Sequence, residues 1–448
     1  MPRREAVLKP FQEESEFLRT RTERDIARYR KGQAVVKLVD RDGHAVSGAS
    51  VHVRLVKHAF RFGCNLFLLD EICDPEKNER YKAQIARCFN QATLPFYWKD
   101  LEPQEGKPRF AIGSPPIYRR PVPDLCLQWC RENGITPKAH CLNYFDESPD
   151  WVLQAPDRFW ERVERRFQQL SDRYAGAIPC WEVTNETLKF HSHKNFSMGT
   201  TPFYDRDFVE RSFALAETYF PQNELVINEA HFNVWGEWFK ENRSAYYMQI
   251  ERALLKGARI DAIGLQYHMF YPRQSEAEDT KFYYDPHTLF QLMDRYGDFG
   301  KPLQITEITV PAFSDHPEDE AIQAELLTHL YKIWFSHPNM EMITYWNMMD
   351  GYAWSEDNVP GNMTSGENLY YGGLLRFDGS PKPAYQAIHD LIHHQWHTEA
   401  QLTPDRSGLA QFCGFYGSYE ITVCKDGKKT QHTVDFTPNS SPLQITVF

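Results

Sequence analysis

The sequence lacks the features that would direct it to a membrane or to a nucleic acid. Its residues include no apolar run near the ~18 residues of a membrane span. The N-terminal segment MPRREAVLKPFQEESEF has no apolar core of the kind found in signal peptides. Lys and Arg number 50 against 61 Asp and Glu, which gives a net charge of −11 and no basic patch for a phosphate backbone. We therefore expect no nucleic-acid or membrane partner, and a cytoplasmic chain as written, or a secreted one if a leader has been removed.

Paired cysteine spacing is also absent. The nine cysteines are an odd number, and a chain of 448 residues buries enough apolar surface to fold without covalent links. Cys126 and Cys130 are four residues apart on a predicted helix, but no second pair completes a metal site, so we predict reduced thiols in the core. The grouped histidines are predicted to be solvated in loops or on helix faces: His191 and His193, and His393, His394 and His397. No metal and no cofactor is expected.

Aromatic residues, by contrast, are abundant. They make up 14% of the chain, including 11 Trp and 23 Tyr. Aromatic rings fill cores first, yet a surplus also suits a cleft that stacks on flat apolar faces such as those of sugars.

Short β-rich segments stand at both ends of the chain. After a charged stretch at 11–31, which we interpret as a peripheral helix, segments 33–40 and 49–56 flank an Asp-Gly turn and predict a hairpin or short β unit. The C-terminal segment GSYEITVCKDGKKTQHTVDF repeats this pattern. Because chain termini commonly lie close together, we predict that both pieces form one accessory β module. The predicted units are a helical segment (1–31), N-terminal strands (32–58), a central domain (59–398) and C-terminal strands (399–448).

The middle of the chain alternates between strand-like and helix-like segments. Eight strand-like runs occur, at 62–69, 88–94, 136–144, 178–185, 224–228, 261–268, 302–308 and 342–347. Helical spacing lies between them, as at Phe159, Val163, Phe167 and Leu170. Eight consecutive βα units predict an α/β fold, a closed (β/α)8 barrel with catalytic residues at the C-terminal ends of its strands. The long connection 348–378 suits a functional loop over that end.

Two glutamates lie where such a barrel would carry its chemistry. Glu186 follows the fourth run, in PCWEVTNET, and Glu307 lies in the seventh, LQITEITV. A carboxylate buried in a strand is costly unless it is paired or hydrogen-bonded, so two purely structural carboxylates are the weaker interpretation. Strands four and seven face each other across the barrel. Two opposed carboxylates are characteristic of the active sites of glycoside hydrolases. One would protonate the leaving oxygen and the other would attack or stabilise the anomeric carbon.

The segments around these glutamates resemble glycoside hydrolase family 10, whose best-known members are endo-β-1,4-xylanases. WEVTNE resembles the acid/base segment of the family, and ITEIT its nucleophile segment. Five further segments resemble the family in the right order: FNQATLPFYWKDLEPQEG, KAHCLNYF, DAIGLQYHM, TYWNMMDGYAW and GGLLRFDGSPKPAYQAI. The resemblance runs from about Phe62 to His397 and leaves the terminal β pieces outside it.

The resemblance implies a role for each matching residue. Glu186 would be the acid/base and Glu307 the nucleophile of a retaining mechanism. Asn185 would hold the 2-hydroxyl of the reacting sugar, His268 would orient Glu307, and Gln266 would lie beside them. Lys99 and His140 would line the glycone side, with Trp346 and Trp354 as its aromatic walls.

A retaining mechanism has geometric consequences. The two carboxyl groups should lie about 5 to 5.5 Å apart, whereas an inverting pair needs roughly 6.5 to 9.5 Å to admit a water. His268 should be within hydrogen-bond reach of Glu307. Glu186 should be the carboxyl with the raised pKa, because the negative charge opposite disfavours its ionisation.

Two segments depart from the family pattern. Where the family has Pro-Glu-Asn-x-Met-Lys-Trp, this chain has LPFYWKD at 94–100, so Pro95 and Phe96 replace the Glu and Asn that grip the second glycone sugar. In the third segment, Tyr144 and Phe145 replace the usual Trp and His, and Tyr144 becomes a substrate-binding candidate. Lost hydroxyl contacts typically forfeit about 1 kcal/mol each. Restoring polar residues at 95–96 should improve binding of longer xylo-oligosaccharides in an ordinary xylanase, and harm activity if the apolar wall serves another substrate.

These observations predict a metal-free retaining glycoside hydrolase that cleaves β-1,4-xylosidic bonds in xylan or xylo-oligosaccharides. One alternative is an exo-acting or aryl or terpenoid β-glycosidase that uses an apolar glycone site. Another is a carbohydrate-binding barrel that is catalytically idle. The expected partner is a β-linked oligosaccharide or polysaccharide, and the sequence indicates no protein partner.

Overall fold

The centre of the fold is a closed barrel of parallel strands. The computed structural model describes residues 2–188, 202–440 and 442–447, so His191 and His193 lie outside the described residues. The strands, numbered in chain order, are β1 Lys31–Val39, β2 Ser50–His58, β3 Arg61–Asn65, β4 Gln91–Pro95, β5 Thr136–His140, β6 Cys180–Asn185, β7 Glu224–Glu229, β8 Ala262–His268, β9 Leu303–Thr309, β10 Met340–Tyr345, β11 Glu399–Leu402, β12 Leu409–Phe415, β13 Gly417–Lys425, β14 Lys428–Phe436 and β15 Leu443–Thr446.

The barrel closes in the order β10-β3-β4-β5-β6-β7-β8-β9, and its neighbouring strands pair in parallel. Each of the eight predicted runs overlaps one of these strands, so the predicted (β/α)8 barrel is confirmed. The strands are buried on both faces, with side chains inside the barrel and helices outside it. This is why their sequences are apolar runs rather than alternating patterns.

Helices cover the outside of the barrel. In the described residues they are α1 Arg3–Glu13, α2 Ser15–Tyr29, α3 Pro75–Cys88, α4 Trp98–Leu101, α5 Pro123–Glu132, α6 Asp150–Leu153, α7 Phe159–Tyr174, α8 Phe208–Tyr219, α9 His231–Val234, α10 Ala245–Leu255, α11 Glu276–Asp279, α12 Pro286–Gly297, α13 Pro317–Ser336 and α14 Pro383–Asp390. α7 buries its four predicted apolar positions against the barrel. Within the described ranges, none of the helices has the length and apolar character needed to span a bilayer.

Cysteine and histidine positions follow the sequence prediction only in part. Cys126 and Cys130 are buried free thiols on α5, as predicted. His394 is exposed, but His393 is half-buried and its Nε2 lies 3.0 Å from the carbonyl oxygen of Cys88. The prediction of a solvated His393 is therefore wrong, because the turn after α14 packs this ring against the end of α3.

Two small sheets combine strands from both ends of the chain. β1 lies between β12 and β15, while the second sheet has the order β11-β2-β13-β14. The prediction that both termini contribute to accessory β structure is confirmed. The hairpin predicted for β1 and β2 is wrong, because the two strands belong to different sheets. An isolated two-stranded hairpin is marginally stable, and pairing with C-terminal strands buries more of the apolar face of each strand.

The N-terminal segment forms two helices rather than one. α1 buries Val7, Leu8 and Phe11, and its Arg3 forms ion pairs with Glu276 at 2.7 Å and with Asp319 at 3.0 Å. These contacts attach the segment to the helix layer of the barrel. The domain boundaries drawn from the sequence remain a prediction.

Candidate active site

A cleft of about 730 Å³ opens at the C-terminal end of the barrel strands. Nine of the predicted site residues line it: His140, Tyr144, Asn185, Glu186, Gln266, His268, Glu307, Trp346 and Trp354. Among the described residues, Lys99 is not part of this lining. Its ammonium group instead pairs at 2.9 Å with Glu147, which does line the cleft. The barrel brings these residues together because all its strands end on one side.

Glu186 is placed at the cleft by a turn directly after β6. Its φ is 50°, in the left-handed region, which costs a non-glycine residue roughly 1–3 kcal/mol. Its backbone N–H donates to the carbonyl oxygen of Asn228 at 3.2 Å. Glu229 holds the next residues, accepting from Leu188 N at 3.1 Å and from the Thr187 hydroxyl at 3.3 Å. The neighbouring strand end thus maintains the unusual turn that presents Glu186.

Glu307 lies within β9 and is almost fully buried. Its Oε1 accepts hydrogen bonds from Gln266 Nε2 at 3.0 Å and from Asn228 Nδ2 at 3.2 Å. His268 Nε2 lies 3.1 Å from Oε2, within the expected hydrogen-bond reach. Donors on both oxygens favour the ionised carboxylate.

Gln266 connects the two glutamates. Its Nε2 lies 3.1 Å from Glu186 Oε1 and 3.0 Å from Glu307 Oε1. The two oxygens are therefore no farther apart than the sum of these lengths, which is below the roughly 6.5 Å minimum of an inverting pair. The same nitrogen lies 3.2 Å from Asn185 Oδ1, which also accepts from Asn228 at 2.8 Å. The amide nitrogen of Gln266 thus contacts Asn185, Glu186 and Glu307 at once.

Tyr144 contacts the candidate acid/base directly. Its hydroxyl donates to Glu186 Oε2 at 2.6 Å. The sequence analysis identified Tyr144 as a substrate-binding candidate that replaces the usual tryptophan of the family, without predicting a contact with Glu186. The phenol adds a hydrogen-bond donor to the carboxylate that faces Glu307, and its ring remains part of the cleft lining.

Glu307, the deeper carboxyl of the pair, has a raised pKa. Burial raises the pKa of Glu307 to about 8, with the charges of Glu182 and Glu186 adding to the effect and His140 opposing it. Glu186 is only half-buried, at the rim of the cleft. Desolvation thus acts strongly on Glu307 because of its depth in the barrel, which is not visible in the sequence, and the raised pKa expected for Glu186 stays a prediction.

A buried ion network supports the floor of the cleft. Lys138 Nζ lies 2.6 Å from Glu182 Oε1, and His140 Nδ1 bonds the other oxygen of Glu182. Burial opposes ionisation of Glu182, but the charges of Lys138 and His140 outweigh it and lower the pKa of Glu182 to about 2. The charge of Glu182 in turn raises the pKa of His140 against the effect of its own burial. The network therefore favours the protonated form of the His140 imidazole, which lies near Glu307.

Three of these residues also approach each other as metal ligands would. The ligand atoms of His140, Glu182 and Glu307 lie within 4.8 Å of one another. The ammonium group of Lys138 already neutralises Glu182 and would repel a second cation at this position. We therefore interpret the group as a hydrogen-bonded network, and the absence of a metal remains a prediction.

One side of the cleft is an aromatic wall formed by Phe67, Tyr97 and Trp346. The ring centroid of Phe67 lies 5.7 Å from that of Tyr97 and 5.0 Å from that of Trp346. The Tyr97 hydroxyl lies 3.1 Å from His140 Nε2. The wall presents flat apolar rings together with a few polar atoms, as sugar-binding clefts do.

Phe96 does not belong to this wall. It is fully buried outside the barrel, with its ring centroid 5.0 Å from Trp181 and 5.5 Å from Tyr174. The prediction that Phe96 faces a glycone sugar is therefore wrong. Successive residues at a strand end point to opposite sides, so Tyr97 faces the cleft and Phe96 faces the helix layer. Phe145 is likewise buried.

Several cleft residues were not found from the sequence. Phe67, Tyr97 and Arg119 line the cleft from loops and Glu147 from a single turn of 3-10 helix, where no periodicity marks the inward-facing positions. Glu182 could have been found from the sequence, because it is a carboxylate inside the apolar strand that precedes Glu186. The burial argument applied to Glu307 would have found it.

A closed parallel barrel with two bridged carboxylates and an aromatic wall at its C-terminal end is typical of barrel-type glycoside hydrolases. Sequence comparison identifies the family within that class. A sequence model described as Glycosyl hydrolase family 10 matches residues 57–391, and the chain belongs to this family.

Individual relatives are distant. The chain is 24% identical over 347 residues to an endo-1,4-beta-xylanase of Geobacillus stearothermophilus, a match that covers 72% of this chain and 95% of the relative. It is 26% identical over 431 residues to the anti-sigma-I factor RsgI6 of Acetivibrio thermocellus, covering 93% of this chain and 48% of that protein. It is 25% identical over 439 residues to endo-1,4-beta-xylanase 1 of Arabidopsis thaliana, covering 95% and 40%. The chain thus spans less than half the length of the last two relatives.

Solved structures share the fold. A family 10 structure from Paenibacillus barcinonensis has a TM-score of 0.56 at 20% identity, covering 75% of this chain and 95% of that one. Xylanase 10B from Thermotoga petrophila in complex with xylobiose has a TM-score of 0.57 at 19% identity, with coverage of 75% and 95%.

Proposed function

We propose that the chain is a retaining glycoside hydrolase that cleaves β-1,4-xylosidic bonds in xylan or xylo-oligosaccharides. Glu307 is the proposed nucleophile and Glu186 the proposed acid/base. The observation that carries the proposal is the single Gln266 nitrogen within 3.1 Å of both carboxylates. This upper limit on the separation lies below the range of an inverting pair and supports direct attack on the anomeric carbon.

In the first step, Glu307 attacks the anomeric carbon while Glu186 gives its proton to the glycosidic oxygen. The bond to the leaving sugar breaks, and a covalent glycosyl-enzyme forms on Glu307. The hydrogen bonds of His268 and Gln266 hold the attacking carboxylate in position. Asn185 is placed beside Glu186 to donate to the 2-hydroxyl of the sugar, an interaction that strengthens in the transition state.

In the second step, Glu186 acts as a base. It takes a proton from a water molecule, whose oxygen attacks the anomeric carbon and releases Glu307. Two displacements at the same carbon restore its original configuration. The half-buried position of Glu186 suits this role, because the residue must exchange its proton with entering water.

The substrate proposal rests on the family and on the cleft. Relatives in the family are named endo-1,4-beta-xylanases, including the one from Geobacillus stearothermophilus. The aromatic wall and Trp354, which is about half exposed at 48%, offer stacking surfaces for a chain of pyranose rings. These features support a β-linked oligosaccharide or polysaccharide as the ligand.

A second candidate function is an exo-acting or aryl or terpenoid β-glycosidase. The aromatic wall favours it, since Phe67, Tyr97 and Trp346 present more hydrocarbon than hydrogen-bonding groups on one side of the cleft. Both functions use the same pair of glutamates. They differ in where along a xylan chain the first bond is cut.

The test is hydrolysis of xylohexaose and of an aryl β-xyloside, with products separated by chromatography and the first-formed anomer identified by NMR. An endo-acting retaining enzyme releases mixed xylo-oligosaccharides with β-configured ends. Stepwise release of one small sugar supports the second candidate. First release of the α-anomer, or no turnover of either substrate, contradicts the proposal.

A further inference from the structure

Arg119 is a buried cation without a partner at the wall of the cleft. It is only 6% exposed and lines the cleft beside the aromatic wall. Its Nε is buried without a hydrogen-bond partner, and within the described residues its guanidinium makes no hydrogen bond or ion pair. A buried charge is normally paired, because desolvation is costly. The guanidinium of Arg119 is therefore available to an anionic ligand.

The neighbouring cations Arg120 and Lys99 each have an ion-pair partner. Arg120 Nε pairs with Asp100 at 2.6 Å, and Lys99 pairs with Glu147 at 2.9 Å. The charge of Glu367 attracts Arg119, but no ion pair forms between them. Among the described residues on this side of the cleft, these pairs leave Arg119 as the cation whose charge is available to a ligand.

The loop that carries Arg119 is held in place before any ligand arrives. Arg109 donates to the carbonyl oxygens of Pro115 and Asp100, both at 2.7 Å, and of Arg120 at 3.3 Å. Arg119 itself has a φ of 60°, a strained value that persists only where the surroundings impose it. The loop thus holds Arg119 in a fixed conformation at the cleft. Such preorganisation is typical of binding groups.

We propose that Arg119 is the anchor of a subsite for a carboxylate-bearing sugar, a hexuronic acid unit of a β-linked oligosaccharide. The inference rests on the proposed function, since the cleft must first bind such a chain. The planar guanidinium fork matches a carboxylate through two parallel hydrogen bonds. The aromatic wall beside it stacks on the apolar face of the same or the neighbouring ring.

The surrounding charges favour a singly charged group. Glu147, Glu367 and Glu186 also line the cleft. A phosphate dianion would meet twice the repulsion from these carboxylates that a single carboxylate meets. The chemistry of the cleft therefore selects an acidic sugar over a sugar phosphate.

The test compares D-glucuronate with D-glucose, which differ only in a carboxylate against a hydroxymethyl group. Binding is measured by ligand-observed NMR, which needs no turnover, and by inhibition of aryl β-xyloside hydrolysis. The wild-type protein should bind glucuronate about tenfold more tightly, and high salt should reduce this preference. Arg119→Met should remove the preference, and Arg119→Lys should retain only part of it.

Arg120→Met serves as the comparison variant, because it removes a cation of the same cleft that already has a partner. It should retain the preference for glucuronate. Arg119→Met should have a Tm equal to or above that of the wild type, because it removes an unpaired buried charge. Equal binding of the two sugars by an active wild type, a preference that survives in Arg119→Met, or a lowered Tm of that variant overturns the subsite. A preference seen by NMR without hydrolysis of the aryl xyloside contradicts the proposed function and leaves the subsite standing.

Discussion

The hydroxyl of Tyr144 lies 2.6 Å from Oε2 of Glu186, while the other oxygen of Glu186 lies 3.1 Å from Gln266 Nε2. Both oxygens of the proposed acid/base are therefore held by donors from separate strand ends. These two hydrogen bonds fix the carboxylate of a residue whose backbone is strained and whose side chain is half-buried. Tyr144 is thus a positioning residue as well as part of the cleft lining.

Tyr144→Phe should impair substrates with poor leaving groups most. The change removes the hydroxyl and keeps the ring, so a proton donor is held less well while the cleft retains its shape. We expect kcat for xylo-oligosaccharides to fall about tenfold and kcat for an aryl β-xyloside with an acidic phenol to change little. The measurement is a plot of rate against the leaving-group pKa. Equal losses on all substrates would indicate that the ring, rather than the acid, was affected.

The two glutamates should respond differently to removal. Glu307→Ala should abolish turnover of every glycoside, because the covalent glycosyl-enzyme cannot form without the carboxylate of the nucleophile. Glu186→Ala should spare substrates whose leaving group needs no proton, and added azide should restore its turnover by attacking the glycosyl-enzyme. The azide product carries the β-configuration. If azide rescues neither variant and both lose activity equally, the assignment of roles is wrong.

The pH profile should reflect the deep burial of Glu307. Burial raises the pKa of Glu307 to about 8, above its ordinary value of 4.5. A nucleophile acts only when ionised, so kcat/KM should rise with pH through the pKa of Glu307. The charge of Glu186 contributes to this raised pKa, so Glu186→Gln should move the ascending limb to lower pH. An activated aryl β-xyloside makes the variant measurable, and an ascending limb at the same pH in both proteins would contradict the prediction.

Phe96 and Tyr97 should have opposite effects despite being adjacent. Phe96→Ala empties a core position against Trp181 and should lower the free energy of unfolding by about 3–5 kcal/mol. KM of the remaining folded enzyme should stay unchanged. Tyr97→Leu removes a cleft ring and should raise KM for xylotriose severalfold, with a smaller loss of stability than Phe96→Ala. Urea unfolding and xylotriose kinetics on both variants test this, and improved oligosaccharide binding by Phe96→Asn would restore the original sequence-based hypothesis.

Lys138 should be essential for stability because it neutralises buried Glu182. Lys138→Met leaves that carboxylate without its closest cation and should lower the free energy of unfolding by about 3–5 kcal/mol at pH 7. Adding Glu182→Gln should recover part of the loss. The pKa of Glu182 is lowered to about 2, so the wild-type stabilisation is present above the ordinary value of 4.5 and disappears as pH falls toward 2. Exposed Lys429→Met is the control, and an equal effect of both variants would contradict the role of the network.

The barrel could be predicted because its signals are local. Each strand is a short apolar run that must be buried on two faces, and each helix, such as α7, shows a spacing set by its own turn. A carboxylate in such a run, as at Glu307, is costly enough to indicate function without any tertiary information. The pairing of terminal strands was also indicated, but not that β1 and β2 would join different sheets.

Long-range contacts determined the features that could not be predicted from the sequence. Whether Phe96 or Tyr97 faces the cleft depends on how β4 ends, and the raised pKa of Glu307 depends on its depth in the barrel. The partners of Lys138 and the lack of a partner for Arg119 depend on which loops meet at the cleft. The sequence by itself determined which residue types occur at the strand ends, because burial and periodicity act along the chain. Only the tertiary structure decided their protonation and pairing, because electrostatic energies depend on distance and desolvation in three dimensions.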